Sequence, residues 1–137
     1  MIKQLSVLFS TTLLLSACST MPTQSYQPVA TIPNYKSNST DSTIEVRRDV
    51  GLMGSGCPID VYIDGNKFGE LTVGESVATT VSTGTHILSA KFIGTFCPKR
   101  LAETEVTIEK GQTKYYRTGF GAAGDFLLMP TLGKPIK

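Results

Sequence analysis

Along most of the chain, apolar and polar residues alternate with a period of two, in short runs that turn residues separate. In the clearest run, Ile59, Val61 and Ile63 alternate with polar residues, so their side chains would lie on one face of a strand. No window shows sustained helical periodicity. The pattern predicts an all-β fold, a small antiparallel β-sandwich that comprises residues 44–137.

Turn residues indicate where the strands end. Asp64-Gly65 lies between two extended runs, and this dipeptide is a strong signal for a two-residue hairpin. Lys110-Gly111 predicts another turn, and we expect the strands on either side of it to be neighbours. In that case glutamates such as Glu103 would form cross-strand pairs with Lys114 and Arg117. The predicted strands are 44–48, 59–64, 67–71, 77–81, 86–93, 104–109 and 114–118.

The N-terminus has the three parts of a secretory signal: a positive charge at Lys3, an apolar run and two small residues. The apolar run is too short for a permanent membrane-spanning helix. The order Leu15-Ser16-Ala17-Cys18 resembles the lipobox of bacterial lipoproteins, in which the cysteine sulfur receives a diacylglycerol and the chain is cut before it. The residues alone also allow an ordinary secretory signal followed by a free cysteine.

The lipobox resemblance implies a signal peptide at 1–17 and lipidation of Cys18, with the membrane as a partner through that lipid. In lipoproteins, aspartate after the cysteine favours retention in the inner membrane. Ser19 stands here, so the resemblance implies the outer membrane, with the domain facing the periplasm; the inner membrane is the alternative. Several acyl chains are needed for durable anchoring.

Residues 18–43 begin with that cysteine and are rich in Ser, Thr, Pro, Gln and Asn, without apolar periodicity. This composition predicts a disordered tether with an end-to-end distance of about 25 to 30 Å. Tyr26, Val29, Ile32 and Tyr35 leave a second possibility open, in which the segment docks on the domain or on a partner.

Cys57 and Cys97 are the two thiols left once Cys18 is set aside. In an oxidising compartment an even count predicts a disulfide between them. Such a bond would stabilise the domain by about 4 kcal/mol in the chain-entropy picture. Spacing alone also allows two buried, reduced cysteines.

Four segments, taken together, resemble the PEGA-type β-sandwich module of bacterial envelope proteins. They are Val61-Tyr62-Ile63-Asp64-Gly65, Gly69-Glu70-Leu71, Thr83-Gly84-Thr85-His86-Ile87-Leu88 and Glu109-Lys110-Gly111-Gln112-Thr113. Thr83 stands where that family usually has proline. The resemblance implies a binding or spacer module without catalysis and names no ligand.

Charge and residue types limit the chemistry. Without Lys3, twelve of the 13 Lys and Arg residues face 11 acids, so no basic field would recruit nucleic acid. His86 is the only histidine, which excludes a metal site with two imidazoles and favours a structural role in its turn. Asp60 and Asp64 share the outward face of one strand, with Tyr62 between them, and are expected to be solvated surface acids. We predict no enzyme activity, no metal and no cofactor.

Two glycine-containing segments lie near the C-terminus. Residues 119–124 carry the letters of a dinucleotide-binding loop, but Pro130 interrupts the helix that such a loop requires. Residues 124–132 are apolar and fit either a last core strand or a segment that docks on another protein. The candidate partner-binding residues are Phe126, Leu127, Leu128 and Met129.

These observations favour a lipid-anchored accessory or protein-interaction module of a cell-envelope assembly, with an envelope protein as its partner. The alternative is a small immunity or inhibitor lipoprotein that binds and blocks a toxin or an enzyme. Neither the residue types nor their spacing identifies the partner.

Overall fold

A computed structural model describes residues 20–23, 25–37 and 39–133 of the chain. In these residues nine strands form two sheets that pack face to face. One sheet has five strands in the order β1-β5-β2-β8-β9, and the other has four in the order β4-β3-β6-β7. The strands are β1 (Gln27–Val29), β2 (Ser42–Arg48), β3 (Ile59–Ile63), β4 (Asn66–Leu71), β5 (Glu75–Val81), β6 (Gly84–Phe92), β7 (Leu101–Ile108), β8 (Thr113–Phe120) and β9 (Phe126–Thr131).

The predicted all-β sandwich is confirmed, and most neighbouring strands are antiparallel. Two pairs are parallel: β1 with β5, and β2 with β8. The predicted Asp64-Gly65 hairpin joins β3 to β4, and both of its residues have positive φ, 50° and 78°. Asp and Gly are among the residues that adopt this conformation at least cost.

The expected pairing of β7 with β8 is wrong, because the chain crosses from the four-stranded to the five-stranded sheet between them. The cross-strand ion pairs therefore do not form. Arg117 instead pairs with Asp49 at 2.6 Å, and Lys114 donates to the Thr107 carbonyl at 2.5 Å. Glu103 accepts a hydrogen bond from Ser89 at 2.9 Å.

Inward-facing side chains of both sheets form one apolar core, which removes their surface from water and is the main favourable contribution to folding. Its fully buried members include Ile44, Ile59, Phe68, Leu71, Leu88 and Ile108. At one end of the core, Phe92 lies 4.6 Å from Phe126 and 5.4 Å from Phe120, measured between ring centroids. These tilted and offset contacts are favourable aromatic geometries.

The two ends of the sandwich differ in construction. At one end, which we call the hairpin end, tight turns at 64–65, 82–83 and 109–112 join strands, and the longer segment at 30–41 joins β1 to β2. At the other, the loop end, the connections at 49–58, 93–100 and 121–125 are longer than these turns, and a short turn at 72–74 joins β4 to β5. β2, β6 and β8 end at the loop end, and β3, β7 and β9 begin there.

The described part of the segment predicted to be a tether lies along the sandwich. β1 pairs with β5, the Ile32 N–H donates to the Phe68 carbonyl at 3.0 Å, and the Tyr35 ring lies 5.9 Å from the Phe68 ring. The Thr20 N–H donates to the Phe120 carbonyl at 3.1 Å. The described part of the segment is therefore docked on the domain and not free in solvent, because main-chain hydrogen bonds and partly buried apolar side chains hold it there.

The signal peptide predicted at 1–17 and the lipidation predicted at Cys18 lie outside the described residues. Within the described ranges, no helix has the length and apolar character needed to cross a membrane.

Candidate functional site

A disulfide bond joins Cys57 to Cys97, as the sequence predicted, with a Cα–Cα distance of 5.6 Å. It links the loop at 49–58 to the loop at 93–100, two long connections of the loop end. The bond closes a chain segment of 40 residues, which limits the freedom of the unfolded chain.

Arg48 is a buried cation that the sequence reading did not single out. Its guanidinium donates to the Leu71 carbonyl at 2.9 Å and to the Gly54 carbonyl at 2.6 Å, and lies 5.5 Å from the Phe92 ring centroid. Burial lowers the pKa of Arg48 to about 10, so it is still charged at neutral pH. The period of two through Ile44 and Val46 was the signal, since it places residue 48 on the same inner face.

The candidate partner-binding residues lie on β9, where their side chains alternate between the two faces. Phe126 and Leu128 pack against the core. Leu127 and Met129 belong to the opposite face by the strand period and are half-buried. The core interpretation therefore applies to Phe126 and Leu128, and Leu127 and Met129 stay candidates for docking.

β9 is also an edge strand, because β8 is its one neighbour in the sheet. The Asp49 N–H donates to the Thr118 carbonyl, so the polar groups of Thr118 face β2 and those of Arg117 and Gly119 face β9. In β9, the main-chain groups of Leu128 and Pro130 then point to the open edge. Proline is tolerated there because its missing N–H has no ladder partner to lose.

The outer face beside β9 carries a stacked arginine. The Arg47 guanidinium lies 4.6 Å from the Tyr115 ring centroid and 5.4 Å from that of Tyr26. It also donates to the carbonyls of Leu132 and Gly133 at 3.0 and 2.9 Å. These contacts hold the chain that follows β9 against the sheet.

At the hairpin end, a cleft of about 590 Å³ lies between the segment at 32–36 and the β3–β4 hairpin. The only imidazole of the chain lines this cleft. Its polar lining includes Asn34, Tyr35, Lys36, Tyr62, Asp64, Asn66, Lys67, Thr80, Ser82 and His86. Because many of its lining side chains are polar, this cleft is a candidate site for catalysis or for binding of a polar ligand.

His86 holds the turns of the hairpin end together, which confirms its expected structural role. Its Nδ1 lies 2.6 Å from Asp64 Oδ2, and its Nε2 lies 2.8 Å from the Ser82 carbonyl oxygen. Both partners are acceptors, so both contacts are hydrogen bonds only when the imidazole is protonated. The hydrogen bond to Asp64 raises the pKa of His86, against the opposing effect of burial.

The Asp64 carboxylate accepts a second hydrogen bond, from the Ile87 N–H at 2.8 Å. Burial alone would raise the pKa of Asp64. The hydrogen bonds from His86 and Ile87 outweigh that effect, so its pKa lies below the usual value.

Asp60 is not the solvated surface acid that the alternation predicted. Its side chain is buried. Asp60 Oδ1 lies 2.5 Å from Lys67 Nζ, and Oδ2 accepts a hydrogen bond from the Tyr62 hydroxyl at 3.1 Å. The hydrogen bond to Asp60 raises the pKa of Lys67. Burial, with the neighbouring Asp60 charge, raises that of Tyr62. A buried carboxylate needs such partners, which is why the long Lys67 side chain covers it.

Four polar side chains of the cleft, those of Tyr62, Asp64, Lys67 and His86, are thus engaged in hydrogen bonds or ion pairs within the protein. In the described residues no serine, threonine or cysteine side chain forms a hydrogen bond with His86, and no group of three or more His, Cys, Asp and Glu side chains could hold a metal ion. Residues 119–124 form the end of β8 and the turn into β9, so the glycine letters there do not lead into a helix.

Comparisons with known proteins give no family for this chain. No protein-family model matches the sequence, and no curated protein and no solved structure matches it either. The lipobox and PEGA-type likenesses therefore rest on the residues quoted for them.

Proposed function

We propose that this chain is a lipoprotein anchored in the outer membrane through Cys18. Its sandwich faces the periplasm and binds another protein of a cell-envelope assembly, without catalysis. The lipobox at 15–18 supports the anchor, and the Cys57–Cys97 disulfide fits an oxidising compartment outside the cytoplasm. The engagement of both imidazole nitrogens of His86 supports binding rather than catalysis.

The observation that carries the binding proposal is that the two faces of β9 differ: one packs on the core and the other faces outward. Leu127 and Met129 lie on the face away from the core, on a strand with an open edge, while Phe126 and Leu128 anchor that strand in the core. Flexible methionine and leucine side chains fill pockets at protein interfaces, and an open edge can accept a partner strand. Pro130 limits such pairing, since it lacks an N–H, and so favours recognition through side chains.

The test is site-specific photo-crosslinking in native envelopes. A photoreactive residue at position 127 is expected to capture a partner protein. The same residue at position 105, on exposed Glu105 of β7, is the control and should not capture it. Identity of the captured protein separates the two functions. A structural envelope component supports the accessory role, whereas a toxin or a secreted enzyme would replace it with the inhibitor role.

Two alanine variants of adjacent residues refine this test. With the photoreactive residue moved to position 129 on the same face, Leu127→Ala should abolish capture and change the free energy of unfolding by less than about 1 kcal/mol, since the Leu127 side chain is only half-buried. Leu128→Ala should cost about 2 to 3 kcal/mol, because this side chain packs against the core. Equal and large losses of stability in both variants would contradict the docking role of β9.

The anchor is tested independently of the partner. Cells that produce the chain are labelled with a fatty-acid analogue. Incorporation is expected for the natural chain and not for Cys18→Ala, since the sulfur of residue 18 is the acceptor in lipoproteins. Equal incorporation by both chains would refute the lipoprotein assignment.

A further inference from the structure

Two large apolar side chains at the loop end are almost wholly exposed. Leu52 is 93% exposed and Phe96 is 100% exposed. They lie on the loops at 49–58 and 93–100, which the Cys57–Cys97 disulfide ties together. These two side chains bury almost no surface when the domain folds. They are therefore available to bury apolar surface against another molecule or a membrane.

Three cations surround the base of the Phe96 loop. Lys91, Lys99 and Arg100 line a cleft of about 570 Å³ whose other walls are apolar, including Phe92 and Leu101. All three cations are exposed. In the part of the chain that the structure describes, none of them has a carboxylate within ion-pair distance.

The acids of the loop end do not cancel these charges fully. Asp49 is buried and paired with Arg117 at 2.6 Å. The Glu75 carboxylate accepts a hydrogen bond from the Thr72 N–H at 2.7 Å. Asp125 is exposed, on the loop that joins β8 to β9. At the loop tips, Lys91, Lys99 and Arg100 therefore outnumber the acids Glu75 and Asp125, and the charge beside the apolar side chains is positive. The next acid along β7, Glu103, accepts a hydrogen bond from Ser89 at 2.9 Å.

The N-terminal chain leaves the domain at this same end. Thr20 bonds to the Phe120 main chain, Met21 pairs with Val50, and Thr20 lies against Gly51, the residue before Leu52. Only Ser19 lies between Cys18 and Thr20, and two extended residue steps span at most about 7 Å. A lipid on Cys18 would therefore enter the membrane beside the loop end.

We propose that the loop end is a membrane-seating surface, in which Leu52 and Phe96 insert between phospholipid headgroups while Lys91, Lys99 and Arg100 contact anionic headgroups. This inference rests on the proposed anchoring at Cys18 for the position of the lipid. Apolar insertion beside basic side chains is the usual means by which a protein binds an anionic interface. The sandwich then lies on the lipid surface, and its hairpin end points away from it.

The test uses tryptophan fluorescence, because the natural chain contains no tryptophan. Phe96→Trp places a probe at the loop end, and Lys110→Trp places a matched probe at an exposed turn of the hairpin end. Each full chain is reconstituted in vesicles of phosphatidylethanolamine and phosphatidylglycerol, with and without brominated lipid. We expect a blue shift and quenching for Phe96→Trp and neither for Lys110→Trp.

Charge variants of the Phe96→Trp chain test the basic part of the surface. Neutralising Lys91, Lys99 and Arg100 together to glutamine should abolish the shift and the quenching. Neutralising Lys36, Lys110 and Lys114 to glutamine removes the same charge from the hairpin end and should leave both unchanged. Replacing phosphatidylglycerol with phosphatidylcholine should weaken the signal of the unneutralised chain.

Mass spectrometry of the same samples reports the lipid on Cys18, so the two proposals fail separately. A lipidated chain whose Phe96→Trp probe stays in water overturns the seating surface and leaves the anchor intact. An unlipidated chain whose probe is quenched overturns the anchor and supports the surface. Quenching of Lys110→Trp instead would also overturn the proposal, since it would place the hairpin end on the lipid.

Discussion

The loop end and the hairpin end close the same sandwich by different means. At the hairpin end, three turns of two to four residues are fixed by local conformation, such as the positive φ values of Asp64 and Gly65, and by the Asp64–His86 contact. At the loop end, the connections at 49–58 and 93–100 are long and depend on partners distant in the chain, although the turn at 72–74 is short. The Cys57–Cys97 bond and the buried Arg48 supply these links.

This difference indicates a division of roles. Loops that are not needed as tight turns can carry exposed residues, and the loop end uses them to present Leu52 and Phe96. Their cost in chain entropy is offset by the covalent bond and by the buried hydrogen bonds. The three tight turns of the hairpin end have little such freedom, and the Asp64–His86 contact stabilises them.

Removal of the disulfide is the strongest way to break the comparison. Cys57→Ala combined with Cys97→Ala should lower the free energy of unfolding by about 4 kcal/mol, because the unfolded chain regains the entropy of a 40-residue loop. Chemical denaturation measures the loss. Hydrogen exchange should accelerate in the loops at 49–58 and 93–100 more than in the β3–β4 hairpin. A uniform change across both ends would contradict local bracing by this bond.

Arg48→Met tests the second brace and should have the next largest effect. The variant removes the guanidinium donor from the carbonyls of Leu71 and Gly54. The hydrogen bond to Leu71 is buried, so water cannot replace the lost donor there. We expect a loss of about 2 kcal/mol in thermal unfolding. Arg100→Met is the control, an equal change at an exposed site of the same end, and should stay within about 0.5 kcal/mol. Equal losses in the two variants would contradict a bracing role for the buried guanidinium.

The hairpin end could be predicted from the sequence because its information is local. Asp64-Gly65 identified its turn, and the position of His86 beside the glycine of the next turn identified a structural imidazole. The alternation of Ile59, Val61 and Ile63 gave the inner face of β3 correctly. The disulfide followed from the cysteine count and the expected compartment, which are global properties of the chain.

What could not be predicted depends on long-range contacts. Lys110-Gly111 gave the turn but not the crossing between sheets, since the same tight turn can join strands of one sheet or of two. Val29 and Tyr35 left docking of this segment open as an alternative, but the main-chain hydrogen bonds that pair β1 with β5 leave no pattern in the sequence. Arg48 fitted the period of two, yet a charged residue is ordinarily placed outside, and the carbonyls that satisfy it lie in other segments.

The Asp64–His86 contact should make the hairpin end sensitive to pH, with the smallest effect of the three. The folded pKa of His86 is raised, so its contribution to stability is complete below about pH 6.5 and is lost as pH rises through the folded pKa. The folded pKa of Asp64 is lowered, so its contribution is present above about pH 4 and is lost as pH falls through the folded pKa. The pair therefore stabilises the protein most between these limits.

Stability should fall between pH 6 and pH 8 by less than about 1 kcal/mol, because the Asp64 carboxylate is about half exposed and solvent weakens the pair. His86 is the only histidine, so its imidazole NMR signals report the titration without overlap. Asp64→Asn is the matched variant, since asparagine also tolerates the positive φ of this position but cannot bind an imidazolium by charge. It should lower the His86 pKa and flatten the stability profile over this range, while leaving the loop end unchanged in hydrogen exchange. An unaltered His86 titration in Asp64→Asn would show that the carboxylate does not hold the imidazolium and that the turn geometry alone fixes this end.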